Sequence, residues 1–427
     1  MTDPESWWGQ VGVEDLPASG ARFADVADDD DFGAPAQPED AFDWGSDGPE
    51  VGPVDDLIKV SRRPKTRTLV AALIAVVLAV AGGWAALTLG RETGPTPEPE
   101  PTVPSLQVGA LAYDQIAPGF SSTPKWTYDV PKGAKIAGTP LGLVVAINNQ
   151  LRLHSPDDGS EAFAMDLTAS VESMTTATID GELSLAWLSG GTLSWWSPEA
   201  QLQQVKAKWA TGLSNSGGQL LVSSDSRTAV VEGGALTDVT MRQGEVALGA
   251  MEYGIVTASS AGLRLVNPDA GTGTDIALQA PNGQDNRPVR WAGVAAGFVA
   301  VVWSPVPSPG PAQKVTVALH RLDGTVAGSS TMTYQVAAQA AWMRTTGQQV
   351  ATFERAAWNL EDGSLLFECA TCTLSGGFGT LLQAADAGRS GFVSGGTLYP
   401  SELTALAVAD GLLMVRDGST VKAYPPA

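Results

Sequence analysis

The chain has 427 residues, of which 46 are acidic and 25 basic, a formal net charge of -21. That balance excludes a nucleic-acid partner, because holding phosphates requires a basic face. The length exceeds one ordinary core unless the fold is a large barrel or propeller, and 48 glycines with 28 prolines favour many turns over long helices.

Residues 1–57 are polar and acidic, with the run Asp28-Asp29-Asp30-Asp31 and few aliphatic side chains. Such a segment buries too little apolar surface to offset the entropy of ordering, so a disordered tail is expected. Two aromatic islands interrupt it, Trp7 and Trp8 in "ESWWGQ" and Phe42 and Trp44 in "AFDWGS". They read either as short docking motifs for a cytoplasmic protein or as incidental aromatics.

Residues 58–67 carry Lys59, Arg62, Arg63, Lys65 and Arg67, and residues 68–89 hold no charge at all. At about 1.5 Å per residue, a helix over Thr68–Leu89 spans roughly 33 Å, enough for a hydrocarbon core of about 30 Å. The cations crowd its N-terminal side, so the tail is expected in the cytoplasm and everything after Arg91 outside the cell. A cleaved signal peptide fits less well. About 60 residues precede the run, it exceeds the usual apolar stretch of roughly 7–15, and no clean cleavage site follows. Residues 90–106 contain "TGPTPEPEPTVPS", whose prolines favour an extended, stiff spacer.

From residue 107 to 427 one pattern recurs: an apolar strand, a polar turn, an alternating strand, a Gly or Asp turn, and another strand. "GLVVAINNQLRLHSPDDGSEAF" from Gly142 is one copy, and others begin at Glu182, Gly218, Gly254, Gly297, Gln349 and Gly411. The spacing of roughly 35–50 residues is that of a four-stranded propeller blade. So small a sheet cannot bury its own faces and must stack radially on its neighbours. Alternation such as Leu151 and Leu153 then feeds the layers between blades, and Asp-Gly pairs at 158–159, 323–324 and 362–363 make the tight turns. The chain ends in "TVKAYPPA", a third strand lacking a fourth, while "KWTYDVP" at 125–131 is an orphan strand before the first copy. An antiparallel latch of Trp126–Val130 with Val421–Tyr424 would close the ring. Residues 373–403 are either an elaborated loop or a further blade, so seven or eight blades are expected.

Turns such as "LRLHSPDDGSEAF" and "LRLVNPDAGTGTDIAL" resemble the pyrroloquinoline-quinone-type (PQQ-like) β-propeller repeat, and "KWTYDVP" resembles the outer strand that opens such domains. The resemblance implies an all-β propeller of four-stranded blades over residues 107–427. Enzymes of that family hold a quinone between an aromatic ring and a disulfide of adjacent cysteines, with a calcium ion beside it. Here the cysteines are separated, in "CATC", so no cofactor is expected.

Little other chemistry is legible. Cys369 and Cys372 are the only cysteines. Outside the membrane they are expected to form a local structural disulfide rather than remain free or act in redox chemistry. His154 and His320 lack a second ligand nearby, and "NPDAGTGTD" at 267–275 lacks the remaining positions of a calcium loop. No catalytic or metal residue is assigned. The eight tryptophans from Trp187 to Trp358 are expected mostly between blades, with a minority on the ring's face as a surface for sugar or peptide. The expected protein is a membrane-anchored, extracytoplasmic binding or scaffolding module, with a protein or cell-wall ligand on the propeller and no enzymatic activity. The alternative is a transmembrane sensor that links an external ligand to a partner of the tail. Residue usage rich in Ala, Gly and Val and poor in Lys points to a high-GC, actinobacterial-like source.

Overall fold

The structure, a computed structural model, describes the backbone of Phe23–Asp25 and residues 106–268, 271–281, 286–344, 349–378 and 381–427. The tail aromatics Trp7, Trp8, Phe42 and Trp44, the basic segment and the apolar run 68–89 lie outside the described residues. Among the described residues no helix is long and apolar enough to cross a membrane.

Eight antiparallel sheets of four strands follow one another, each built from consecutive strands except the last. Their first strands, at Lys135–Thr139, Val171–Ile179, Gly212–Ser214, Val246–Met251, Arg287–Ala295, Trp342–Arg344, Thr373–Phe378 and Thr404–Ala409, pack against one another around the axis. Blades 1 to 8 are numbered in that order. The fourth strands lie outermost and face solvent; all but one residue of Gln201–Lys206 in blade 2 are exposed.

Eight apolar layers hold the ring, one for each blade interface. The second strand of blade 1, Gly142–Ile147, shows how the sequence supplies them. Leu143 and Val145 enter the layer shared with blade 8, while Val144 and Ala146 enter the layer shared with blade 2. A strand buried on both faces reads as an unbroken apolar run, which is why the second strands stand out in the sequence.

The inner strands approach each other so closely that a methyl group is excluded in places. A Cβ on Gly249 of blade 4 would lie 2.3 Å from the carbonyl oxygen of Ser216 in blade 3. Bulges accompany this crowding. The ladder slips between Ala247 and Gly249, between Trp291 and Gly293, between Leu374 and Gly376, and between Ala405 and Ala407.

Residues 373–400 form a complete blade 7, with Thr397–Pro400 as its outer strand. That settles the count at eight. Gln107–Val108 adds a fifth strand to it, parallel to Thr397–Leu398. Blade 8 takes its fourth strand from the start of the domain: Trp126–Asp129 pairs antiparallel with Thr420–Ala423. The expected latch is therefore present, over Trp126–Asp129 and Thr420–Ala423. A hairpin over Gln115–Ser121 then seals the C-terminus, through a bridge from Phe120 to Pro426 and a bond from the Ala427 N–H to Gly119. Phe23–Asp25 pairs antiparallel with Lys135–Ala137 of the blade 1 inner strand.

Candidate functional site

The residues that sequence reasoning singled out for chemistry have structural duties. His154 and His320 occupy the same place, near the end of the third strands Gln150–His154 and Lys314–Arg321 in blades 1 and 5. Each ring reaches into the Asp-Gly turn that follows. His154 Nδ1 lies 3.0 Å from the Gly159 carbonyl, and His320 Nδ1 lies 3.2 Å from that of Gly324. Trp303 donates its indole N–H to His320 Nε2 at 2.9 Å. An indole nitrogen can only donate, so Nε2 is the bare acceptor and the proton sits on Nδ1. Burial pushes both imidazoles below their ordinary pKa.

The turns are latches between blades. Gly324 of blade 5 sits against the chain leaving blade 4, where its carbonyl accepts the Gln279 N–H at 2.9 Å. With φ of +85° and room for a Cβ only 1.9 Å from the Ala277 oxygen, that position admits only glycine. At the ring closure, Trp126 of blade 8 donates its indole N–H to Pro156 of the blade 1 turn at 2.7 Å. The aspartates are committed as well. Asp158 accepts from the Ser160 hydroxyl and N–H, and Asp323 from those of Thr325, which holds both carboxyls below the usual range.

Around residues 267–275 the strands Gly262–Val266 and Gly273–Ile276 pair, and the Asn267 N–H donates to Thr272 and the Gly271 N–H to Asn267. Asp275 pairs with Arg242 at 3.1 Å. Among the described residues no three His, Cys, Asp or Glu gather as metal ligands. Cys369 and Cys372 stand at disulfide distance, with Cα atoms 5.7 Å apart, on the connector from blade 6 to blade 7. Both are buried in the layer between those blades. Trp187, Trp195, Trp196, Trp303, Trp342 and Trp358 are buried in the layers, and Trp209 and Trp291 pack partly buried against them. Arg227 covers the Trp209 ring at 4.3 Å. The expected tryptophan surface is therefore absent from these eight positions, because each indole is used between blades.

One end of the ring differs from its other surfaces. Here each inner strand turns into its second strand, and here also lie the Asp-Gly turns. In blade 3 the inner strand does not turn back at once. Gln219 bridges the inner strands of both neighbouring blades, parallel at Thr178 and antiparallel at Ala250. Asn215 donates its amide to the Thr176 carbonyl at 2.7 Å, fixing the start of the segment 215–219. Arg344, the last residue of the blade 6 inner strand, extends across to it. Its Nη1 lies 3.8 Å from where a Cβ on Gly218 would stand. Two tyrosines stand out at the same end: Tyr253, in the first turn of blade 4, is 71% exposed, and Tyr113, beside the sealing hairpin, is 98% exposed. None of these three was marked by the sequence. Arg344 and Tyr253 are ordinary turn-flanking residues until the ring brings them to one end.

No family description matches the chain, and no curated protein is similar to it. Among solved structures it is similar to BamB from Moraxella catarrhalis, at 12% identity, over 71% of this chain and 99% of that one, with a TM-score of 0.40. It is also similar to KlHsv2 with loop 6CD replaced by a Gly-Ser linker, at 12% identity, over 53% of this chain and 81% of that one, with a TM-score of 0.31. At these scores neither likeness bears on what this ring binds.

Proposed function

We propose that the chain is a single-pass membrane protein whose PQQ-like propeller stands outside the cell as a non-enzymatic binding or scaffolding module of the envelope. The observation that carries this reading is the exposure of Tyr113 and Tyr253 at one end of the ring. Tyrosine offers a large contact area at small entropic cost and is enriched in binding surfaces. The histidines and turn aspartates, by contrast, are engaged in holding turns.

A photo-crosslinking side chain placed at residue 113 or 253 in cells tests this, with Leu366 on the outer strand of blade 6 as the comparison. Residues 113 and 253 should both link to the same discrete envelope protein, and residue 366 should not. Equal capture at all three positions, or none at 113 and 253, would count against a binding end.

A further inference from the structure

We propose that the axial end of the ring holds a carboxylate of an extended acidic partner peptide, with Arg344 as its charge anchor. The inference rests on the binding reading above and names the chemistry of the partner.

The other largely covered arginines have partners. Arg264 lies against Glu245 through two hydrogen bonds, one of them 2.8 Å long, and Arg290 donates to the carbonyls of Ala337 and Ala338. Arg344 differs. Its Nε is buried without a hydrogen-bond partner, as is that of Arg355, but Arg355 donates from Nη1 to the Ala370 carbonyl, whereas among the described residues no carboxylate pairs with the Arg344 guanidinium. Burial lowers its pKa from the ordinary arginine value, with no neighbouring charge to offset the effect. A guanidinium stays charged in any protein, so it cannot relieve the cost by losing a proton.

Its position makes that cost useful. Arg344 ends an inner strand at the axis and reaches the segment 215–219, where the backbone already bridges blades 2 and 4. A planar donor fork suits a planar acceptor with two oxygens, and a carboxylate is that group. A partly buried arginine gains more from such a pair than a fully exposed one, because salt screens it less. The two exposed tyrosines at the same end would flank a peptide whose acidic side chain enters the axis.

The test uses the purified full-length chain and a capped tetra-aspartate peptide, with the tetra-asparagine peptide as the uncharged control. Binding is followed by calorimetry in wild type, Arg344→Gln and Arg344→Met. The aspartate peptide should bind wild type saturably, at least tenfold more weakly to both variants, and the asparagine peptide should not bind. Without peptide, Arg344→Met should melt no lower than wild type, because it removes a guanidinium whose Nε is buried unpartnered. Equal affinity in wild type and variants, no saturable binding to wild type, or a lower melting point for Arg344→Met would each overturn the proposal. No saturable peptide binding to wild type, with the crosslink at residues 113 and 253 intact, would sink this inference and leave the binding reading standing.

Discussion

At His320 the protonation state is dictated by what surrounds the ring. The Trp303 N–H occupies the one nitrogen that a second proton would need, and burial removes the water that would stabilise the cation. His154 is buried by a different neighbour, with the Tyr128 ring 4.4 Å away, and its Nε2 has no partner at all. Both folded-state pKa values therefore lie below the ordinary value of about 6.5. As pH falls through that value the unfolded chain binds protons that the folded ring refuses, so stability present at neutral pH is lost on acidification. The double variant His154→Gln and His320→Gln should show a shallower fall in melting temperature from pH 7.5 to 5.5 than wild type. Parallel curves would mean that the two rings titrate normally. A ligand role would need a second ligand for each ring; what the structure shows instead is one duty repeated in two blades.

At the level of elements, the closure is where local and global order meet. Blade 8 is completed by Trp126–Asp129, a strand from the opposite end of the domain, so two exposed sheet edges are exchanged for a ladder whose bonds contribute about 0.5–1.5 kcal/mol each. Val421 and Ala423 of its third strand also enter the layer shared with blade 1, alongside Trp126 and Ile136. Removing Thr420–Ala427 should therefore lower the melting temperature of the entire ring, measured by calorimetry, rather than fray one edge. An unchanged transition would mean that the latch contributes nothing. The closure was legible because an orphan strand and a missing one are both visible in a repeating sequence. So were the second strands, which form apolar runs buried on both faces. The inner strands were less so: their bulges break the period of two, and that of blade 3 is only Gly212–Ser214. The axial site was not legible at all. Whether Arg344 has a counter-ion depends on residues over a hundred positions away, and no spacing in "WMRTTG" encodes that.

For the whole molecule, two features compete over topology. Phe23–Asp25 pairs with the blade 1 inner strand, whereas the cation-flanked apolar run 68–89 lies between that segment and the ring in sequence. If the run crosses a bilayer once, the two strands are on opposite sides and cannot pair, so one arrangement excludes the other. The function proposed above requires the crossing. A three-residue ladder offers a few hydrogen bonds of about 0.5–1.5 kcal/mol each, and must also order an acidic tail. The run contains ten Leu, Ile and Val residues, each contributing about 0.3–0.6 kcal/mol at the centre of a membrane helix. Pairing would meanwhile leave the run's own apolar surface to be buried elsewhere. In that proposal, five cations before the run against Arg91 alone just after it would set the direction. Protease added to intact spheroplasts should therefore cut the Pro-Glu spacer at 93–105 and release the propeller, while an epitope at the N-terminus survives until the cells are lysed. An N-terminal epitope lost from intact spheroplasts, with the propeller protected, would invert the topology. Loss of both would place tail and ring on one side, the arrangement in which Phe23–Asp25 can reach blade 1.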